Sequence, residues 1–492
     1  MANKKTSEKQ KMLAEQRKAK RREGEKTERK KSRRKKGILA AAICVVSAAV
    51  IAGGCVWAVK TQPLTHMLPV EKTEHYSLNA AEISFYSWQI YQQYLNNNTS
   101  SSDKKPDAET ALSKQNYDND TTWEAYFTDA AKDYAQNILI LCEAAHEANY
   151  TPDEAVTGLA KSALDEFDSS TFPSCVKDED VTHAMELYLT AWDYSQYIRE
   201  NISVTEEEME DYYTDPENTK TMQVCSYESF SFAYDDSSET ALSSTEAQEL
   251  ARDLRRCNTR DSFEKWVHDY YAENTTLTEE ELQSQVSTLY AESMGYTEGD
   301  SLSEWAFSGD AKAGDTTILT DDTNKKITVA LLVSEPERDE ACPVTLRQIL
   351  FTSNTYGSSA DAKAAAEDMQ KQWEAGDRTE DSFASLASSY SEDTSTDGGL
   401  YSNVPQGQMI TSWKQWCFDP SRKAGDVTVL NSTYGACLVY YVSADTLPSW
   451  EQTATDALTE EHYADQFDTF EKNANLKTSD TLMKLVKADS QK

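Results

Sequence analysis

Six histidines and nine cysteines are the side chains of this 492-residue sequence best suited to hold a metal or attack a substrate. Their spacing excludes the usual local signatures. His66, His75, His146, His183, His268 and His462 contain no H-x-x-x-H pair, which rules out two imidazoles one turn apart on a zinc-protease helix. Cys44 and Cys55 fall in an apolar run; Cys142, Cys175, Cys225, Cys257, Cys342, Cys417 and Cys437 are widely spaced without a C-x-x-C. Neither a zinc ribbon nor a dithiol redox site is indicated, and buried free thiols are the expected state. No G-x-S-x-G elbow, phosphate loop or dinucleotide fingerprint occurs. Asp393-x-Ser395-x-Asp397-Gly398 begins like a calcium loop, but its twelfth position is Val404, where a bidentate glutamate is needed. No metal site and no cofactor are expected.

The elements that would position any chemistry begin with a charge asymmetry. Residues 1–36 hold 17 Lys and Arg against 5 Asp and Glu; residues 37–492 hold 31 against 79, a net charge of −48 on the main body. Such a body repels nucleic acid, so no nucleic-acid partner is expected, and the basic tail reads as a solvated segment resting on anionic lipid. Residues 37–59 follow as 23 uncharged residues, GILAAAICVVSAAVIAGGCVWAV. At about 1.5 Å per residue they span the roughly 30 Å hydrocarbon core as a helix. The flanking cations hold the N-terminus in the cytoplasm and place everything after Lys60 outside the membrane. Ile51-Ala52-Gly53-Gly54-Cys55 also loosely resembles a lipoprotein cleavage site; both readings leave the body tethered outside.

A linker over 60–75 leads to an all-helical region over 76–215. Apolar positions recur at helical spacing over 80–95 and 123–148, where Trp123, Phe127, Ala130, Ala131, Tyr134, Ile138, Leu141 and Ala145 share a face. Residues 96–122 are polar and read as a free loop. Helices follow over 152–167 and 178–201, and Thr205-Glu206-Glu207-Glu208 is a capping box opening a short helix to Tyr213. Phe85, Trp88, Tyr91, Tyr94, Trp192 and Tyr197 serve either as core or as a groove for unfolded chains. A last helix over 448–476 is expected to pack back on this region.

From Met222 short β-rich runs alternate with helices, and a repeat emerges. WAFSGDAKAGDTTIL (305–319) matches WCFDPSRKAGDVTVL (416–430) at an offset of 111, flanked by matching strands and by Ser262-Phe263 and Ser382-Phe383. Two copies of one unit, 222–335 and 342–445, each begin and end with a strand around helices. That order predicts an α+β fold, an antiparallel sheet packed by helices.

The second copy resembles the parvulin family of peptidyl-prolyl isomerases. The likeness rests on the strand 344–351, Phe383-Ala384-Ser385-Leu386-Ala387, Tyr390-Ser391-Glu392-Asp393, Gly398-Gly399, Gly407-Gln408-Met409, Phe418, Ala424-Gly425-Asp426 and Tyr434-Gly435, in family order over about 100 residues. The first copy is similar but lacks the Tyr-Ser-Glu-Asp and Gly-Gly features. The layout of anchor, helical region, parvulin units and returning helix is similar to extracytoplasmic foldases of the PrsA/SurA type.

The resemblance implies a substrate slot of Met409, Trp413 and Phe418, with Trp413 at a position usually Phe, and a polar network of Asp393, Gln348 and Cys437. The last two stand where the family usually has histidine, and no histidine occurs over 344–443. Taken alone, Asp393 reads equally as a turn residue, Gln348 and Cys437 as sheet packing, and Gly398 and Gly399 as backbone geometry. The implied function is a membrane-anchored extracytoplasmic foldase that isomerises Xaa-Pro bonds of secreted polypeptide clients. The alternative is a holdase whose parvulin units have lost catalysis, and a third reading is an envelope scaffold with one fixed partner.

Overall fold

A computed structural model describes residues 63–98, 104–237, 241–432 and 434–489. The basic tail and the apolar segment 37–59 lie outside the described residues, and no described helix is long and apolar enough to cross a membrane. The chain divides into two units, one of the described residues up to Asn201 with Tyr463 onward, the other Ile202–His462.

The first unit is built on four helices, α1 (Ala80–Asn97), α2 (Trp123–Glu147), α3 (Glu154–Glu166) and α4 (Asp178–Asn201). Asn79 opens α1 by accepting from the amides of Ala81 and Glu82, and the Glu82 carboxylate takes the Asn79 amide at 2.6 Å. The other Glu82 oxygen meets His183 Nδ1 at 2.6 Å, so one cap fixes both a helix start and its neighbour α4. On the expected α2 face Trp123, Phe127, Ala131, Ile138, Leu141 and Ala145 are buried, whereas Tyr134 lies at the exposed edge. The aromatic stripe divides: Phe85 and Trp88 are core, Tyr91 and Tyr94 pack on Phe127, and Trp192 and Tyr197 face solvent.

Two features of this unit differ from expectation. Part of the stretch read as linker is a strand, β1 (Pro69–Lys72), which pairs on one side with β2 (Ser77–Asn79) and on the other with Lys477–Thr478. Strands of two to four residues carry no readable alternation, and one partner lies some 400 positions away. The polar loop is also anchored where it is described: Leu112 is buried, its amide donates to Asp489, and Tyr117 stacks on Tyr126 at 4.1 Å.

The second unit opens with α5 (Glu206–Tyr213), capped by Thr205 and Glu208 as the sequence predicts. Two four-stranded antiparallel sheets follow. The first comprises β3 (Gln223–Ala233), β4 (Tyr290–Gly295), β5 (Thr316–Asp321) and β6 (Lys326–Arg338) in the order β4-β3-β6-β5. The second comprises β7 (Val344–Thr352), β8 (Leu400–Val404), β9 (Val427–Asn431) and β10 (Gly435–Ala444) in the order β8-β7-β10-β9. The two orders coincide, so the sequence repeat is also a repeat of topology. The first copy carries α6 (Ser244–Leu254), α7 (Arg260–Asn274), α8 (Glu279–Ser287) and α9 (Ser301–Ala306); the second carries α10 (Ser359–Glu374), α11 (Glu380–Tyr390) and α12 (Thr411–Cys417). Ser262 and Ser382 both close capping boxes, with Thr259 and Thr379, and each places the following phenylalanine, Phe263 or Phe383, wholly inside its core.

The final helix α13 (Ser449–Asn473) belongs only partly to the helical unit it was expected to join. Trp450 and Ala454 in its first turns are buried with Met222 of the second unit, while Phe470 near its end packs on Tyr194 within the first.

Candidate functional site

The pleat of β7 sorts its side chains between two environments. Ile349 and Phe351 point into a core with Ala362, Ala366 and Phe383 of α10 and α11. Leu346, Gln348, Leu350 and Thr352 point the other way and line a cavity of about 680 Å³, together with Asp393, Tyr401, Met409, Trp413 and Cys437. Five of the six residues predicted as a site therefore line one cavity. The sixth does not: Phe418 sits in the hydrophobic cluster beneath, with Met409, Cys417 and Trp413, and is not among the lining residues. Phe418 is the C-cap of α12, five residues beyond Trp413, and packs against the cluster that holds Met409.

Asp393 is the hub of the polar side. Gln348 Nε2 donates to Oδ2 at 2.7 Å, and the Tyr401 hydroxyl donates to the same oxygen. Oδ1 accepts from the Ser395 amide at 3.0 Å and the Ser395 hydroxyl at 2.6 Å. The two readings of Asp393 are thus divided between its oxygens: one closes a turn with the residue two positions on, and the other faces the cavity. Burial pushes the carboxyl up, but the bonds from Ser395, Tyr401 and Gln348 outweigh it and hold it at about 2. Asp393 is ionised at neutral pH. Cys437 lies opposite Leu350 in the β7–β10 register, and burial pushes its thiol up to about 12, so it remains a protonated, weakly polar wall.

The slot is held from outside itself. Trp413 Nε1 donates to the Asn431 carbonyl at 2.7 Å, which fixes the indole across the cavity. Lys414, buried on the other side of α12, donates to the carbonyls of Glu292 and Ser293 on β4 of the first copy. Thr411 Oγ1 adds a bond to the Tyr290 carbonyl at 3.0 Å. Burial of Lys414 pushes its ammonium down to about 8. The first copy therefore forms the seat of the segment that carries Met409 and Trp413.

Sequence reasoning did not find Tyr401 or Lys414. Tyr401 follows the glycine pair by two residues on β8 and meets Asp393 only through the β7–β8 pairing. Removing its hydroxyl gives a signed prediction. A carboxylate depressed in the folded state contributes stability that is present above about pH 4 and is lost as pH falls toward about 2. Tyr401→Phe is expected to cost about 1 kcal/mol at neutral pH, and the gap to wild type should narrow near pH 3. Urea midpoints at the two pH values check it; an equal gap at both would contradict it.

Residues 331–443 match the family model of the PPIC-type PPIase domain. The match starts within β6 and ends within β10, so it takes in β7, β8, β9 and all but the last residue of β10. No curated protein sequence matches the chain. Among solved structures it is similar to the peptidyl-prolyl isomerase PrsA of Bacillus anthracis, with 19% identity over 29% of this chain and 64% of that one and a TM-score of 0.19. It is also similar to PrsA of Bacillus cereus, with 15% identity over 63% of this chain and 92% of that one and a TM-score of 0.19. A third likeness is to the SurA-like chaperones PEB4 and Cj1289 of Campylobacter jejuni, with 11% identity over 66% of this chain and 92% of that one and a TM-score of 0.19.

Proposed function

We propose that this chain, whose residues 331–443 match the family model of the PPIC-type PPIase domain, is a foldase turning Xaa-Pro bonds of polypeptide clients. In this reading residues 37–59 anchor it in the membrane with the body outside, and the clients are secreted chains. The carrying observation is one cavity with Met409 and Trp413 on its apolar side and ionised Asp393, tied to Gln348 and Tyr401, on its polar side.

The chemistry needs no covalent step and no proton transfer. An Xaa-Pro bond isomerises in tens to hundreds of seconds unaided because amide resonance must be broken. Seating the prolyl ring against Met409 and Trp413 desolvates the amide, which favours the twisted form because that form has less charge separation. The polar wall then bonds the client backbone as it rotates. Neither Cys437, protonated, nor Asp393, ionised, changes charge in this scheme.

The test is a prolyl-isomerisation assay on the full-length protein. Asp393→Ala and Met409→Ala are each expected to lower kcat/KM by about tenfold or more, Met409 through lost apolar contact worth about 1.4 kcal/mol. Wild type and both variants running at the uncatalysed rate would leave the holdase. One feature of the sequence favours that second reading: Gln348 and Cys437, both lining the cavity, stand where the family resemblance implies imidazoles.

The cavity wall also sets a charge preference. Glu392 and Asp393 line it, and among the described residues no Lys, Arg or His does. The Glu392 carboxylate is exposed and accepts from Thr352 and Thr355 hydroxyls; burial raises its carboxyl, but these bonds leave it below the ordinary range. Peptides with Lys or Arg before proline are expected to turn over about three- to tenfold faster than those with Glu, the difference shrinking with salt. A series of tetrapeptides at two ionic strengths checks it.

A further inference from the structure

A second cluster of ligating groups lies in the helical unit, among side chains the cavity does not use. His75 stands in the turn between β1 and β2, and Glu143 and His146 share the last turn of α2 at the i, i+3 spacing that puts both on one face. One ligand atom from each, a ring nitrogen or a carboxylate oxygen, lies within 4.8 Å of the other two. His75 Nδ1 meets Glu143 Oε1 at 2.6 Å, and the two imidazoles stack at 3.8 Å with an interplanar angle of 26°.

We infer that His75, Glu143 and His146 form a binding site for a divalent transition metal of the zinc class, with a position left for water. Three observations carry this. The donor set, two imidazoles and one carboxylate, suits Zn²⁺, Ni²⁺ or Cu²⁺ rather than the hard cations Mg²⁺ and Ca²⁺. Glu143 is buried while both rings are exposed, so the anionic ligand is anchored and the site is open to solvent. The backbone amide of His75 donates to Glu143 Oε2 at 3.1 Å, an outer bond that orients the carboxylate as metal sites require. Glu74 and Glu147 add negative charge beside His75. Binding would clip the β1–β2 turn to α2. Spacing in the sequence could not reveal it, because the ligands come from two elements joined only by the fold.

The test is a titration of the full-length protein with Co²⁺, followed by its visible absorption, and with Zn²⁺ in competition with a chromophoric chelator. One equivalent is expected to bind with a Kd below about 10 µM, with the absorption of a four- or five-coordinate nitrogen–oxygen site. His146→Ala, which removes an exposed side chain, should weaken it by about tenfold or more, while His268→Ala, elsewhere in the chain, should not. Circular dichroism of both variants in the absence of metal confirms folding. No binding by wild type at about 100 µM metal, or equal affinity in wild type and His146→Ala, would overturn the site.

Discussion

Replacing Gly399 by alanine is expected to destabilise the second sheet by about 3 kcal/mol or more and to abolish the proposed isomerase activity with it. Gly399 has φ +67°, and a Cβ there would stand 2.2 Å from the carbonyl oxygen of Gln348 and 3.1 Å from the Ala387 side chain. Neither neighbour can yield cheaply. The first is the backbone of the strand that carries the site, and the second belongs to α11, which packs on that strand's other face. Gly357 is the matched comparison: its φ is +88°, yet nothing lies within 4 Å of its Cβ position, so alanine there incurs only the left-handed backbone cost of about 1 kcal/mol. Thermal or urea unfolding of the two variants separates close approach from conformational preference. Equal losses would mean that strand and glycine pair do not meet as described.

The second large effect is expected at a residue outside the cavity. Lys414→Ala leaves the carbonyls of Glu292 and Ser293 without their donor and opens a hole under α12, at a cost of about 2–4 kcal/mol. Because α12 carries Trp413 and follows Met409, kcat/KM should fall although the chemistry is untouched. Lys414→Met keeps most of the volume and separates packing from charge. Below about pH 8 wild-type Lys414 is charged in both folded and unfolded chains, and folding bears the full cost of burying the ammonium. Between about 8 and the ordinary 10.5 the folded form sheds its proton while the unfolded form keeps it. Wild type should therefore gain stability relative to Lys414→Met as pH rises through that window. A difference that stays flat from pH 7 to 10 would show that the ammonium is not buried. By the same physics, a fragment cut between the copies should lose activity, since the seat on β4 goes with the first copy.

These two residues show what the sequence could and could not reveal. Interactions closed within one turn are legible, because type and spacing define them: the Thr205–Glu208 capping box is found where the pattern puts it. The duplicated unit is legible because two copies test each other, and both sheets adopt the same strand order. The site residues came from the family resemblance of the second copy, and five of the six line one cavity. Tyr401 was invisible because its link to Asp393 depends on strand pairing, which no local pattern encodes. Lys414 was invisible because lysine is ordinarily a surface residue, and only carbonyls from the other copy make its burial tolerable. Phe418 was assigned to the slot by resemblance; as the C-cap of α12 it packs in the hydrophobic cluster with Met409 and is not among the lining residues.

The three-stranded sheet of the helical unit bears on how the protein is made. Buried Glu71 accepts from the Thr478 hydroxyl at 2.7 Å across a separation of 407 residues. At about 5–20 residues per second on the ribosome, that partner arrives roughly 20–80 s after Glu71 does. Throughout that interval the nascent helical unit keeps a hydrated carboxylate and an open strand edge where its last partner will lie. Under the proposed function, a receiver of unfinished chains spends its own first minute as one.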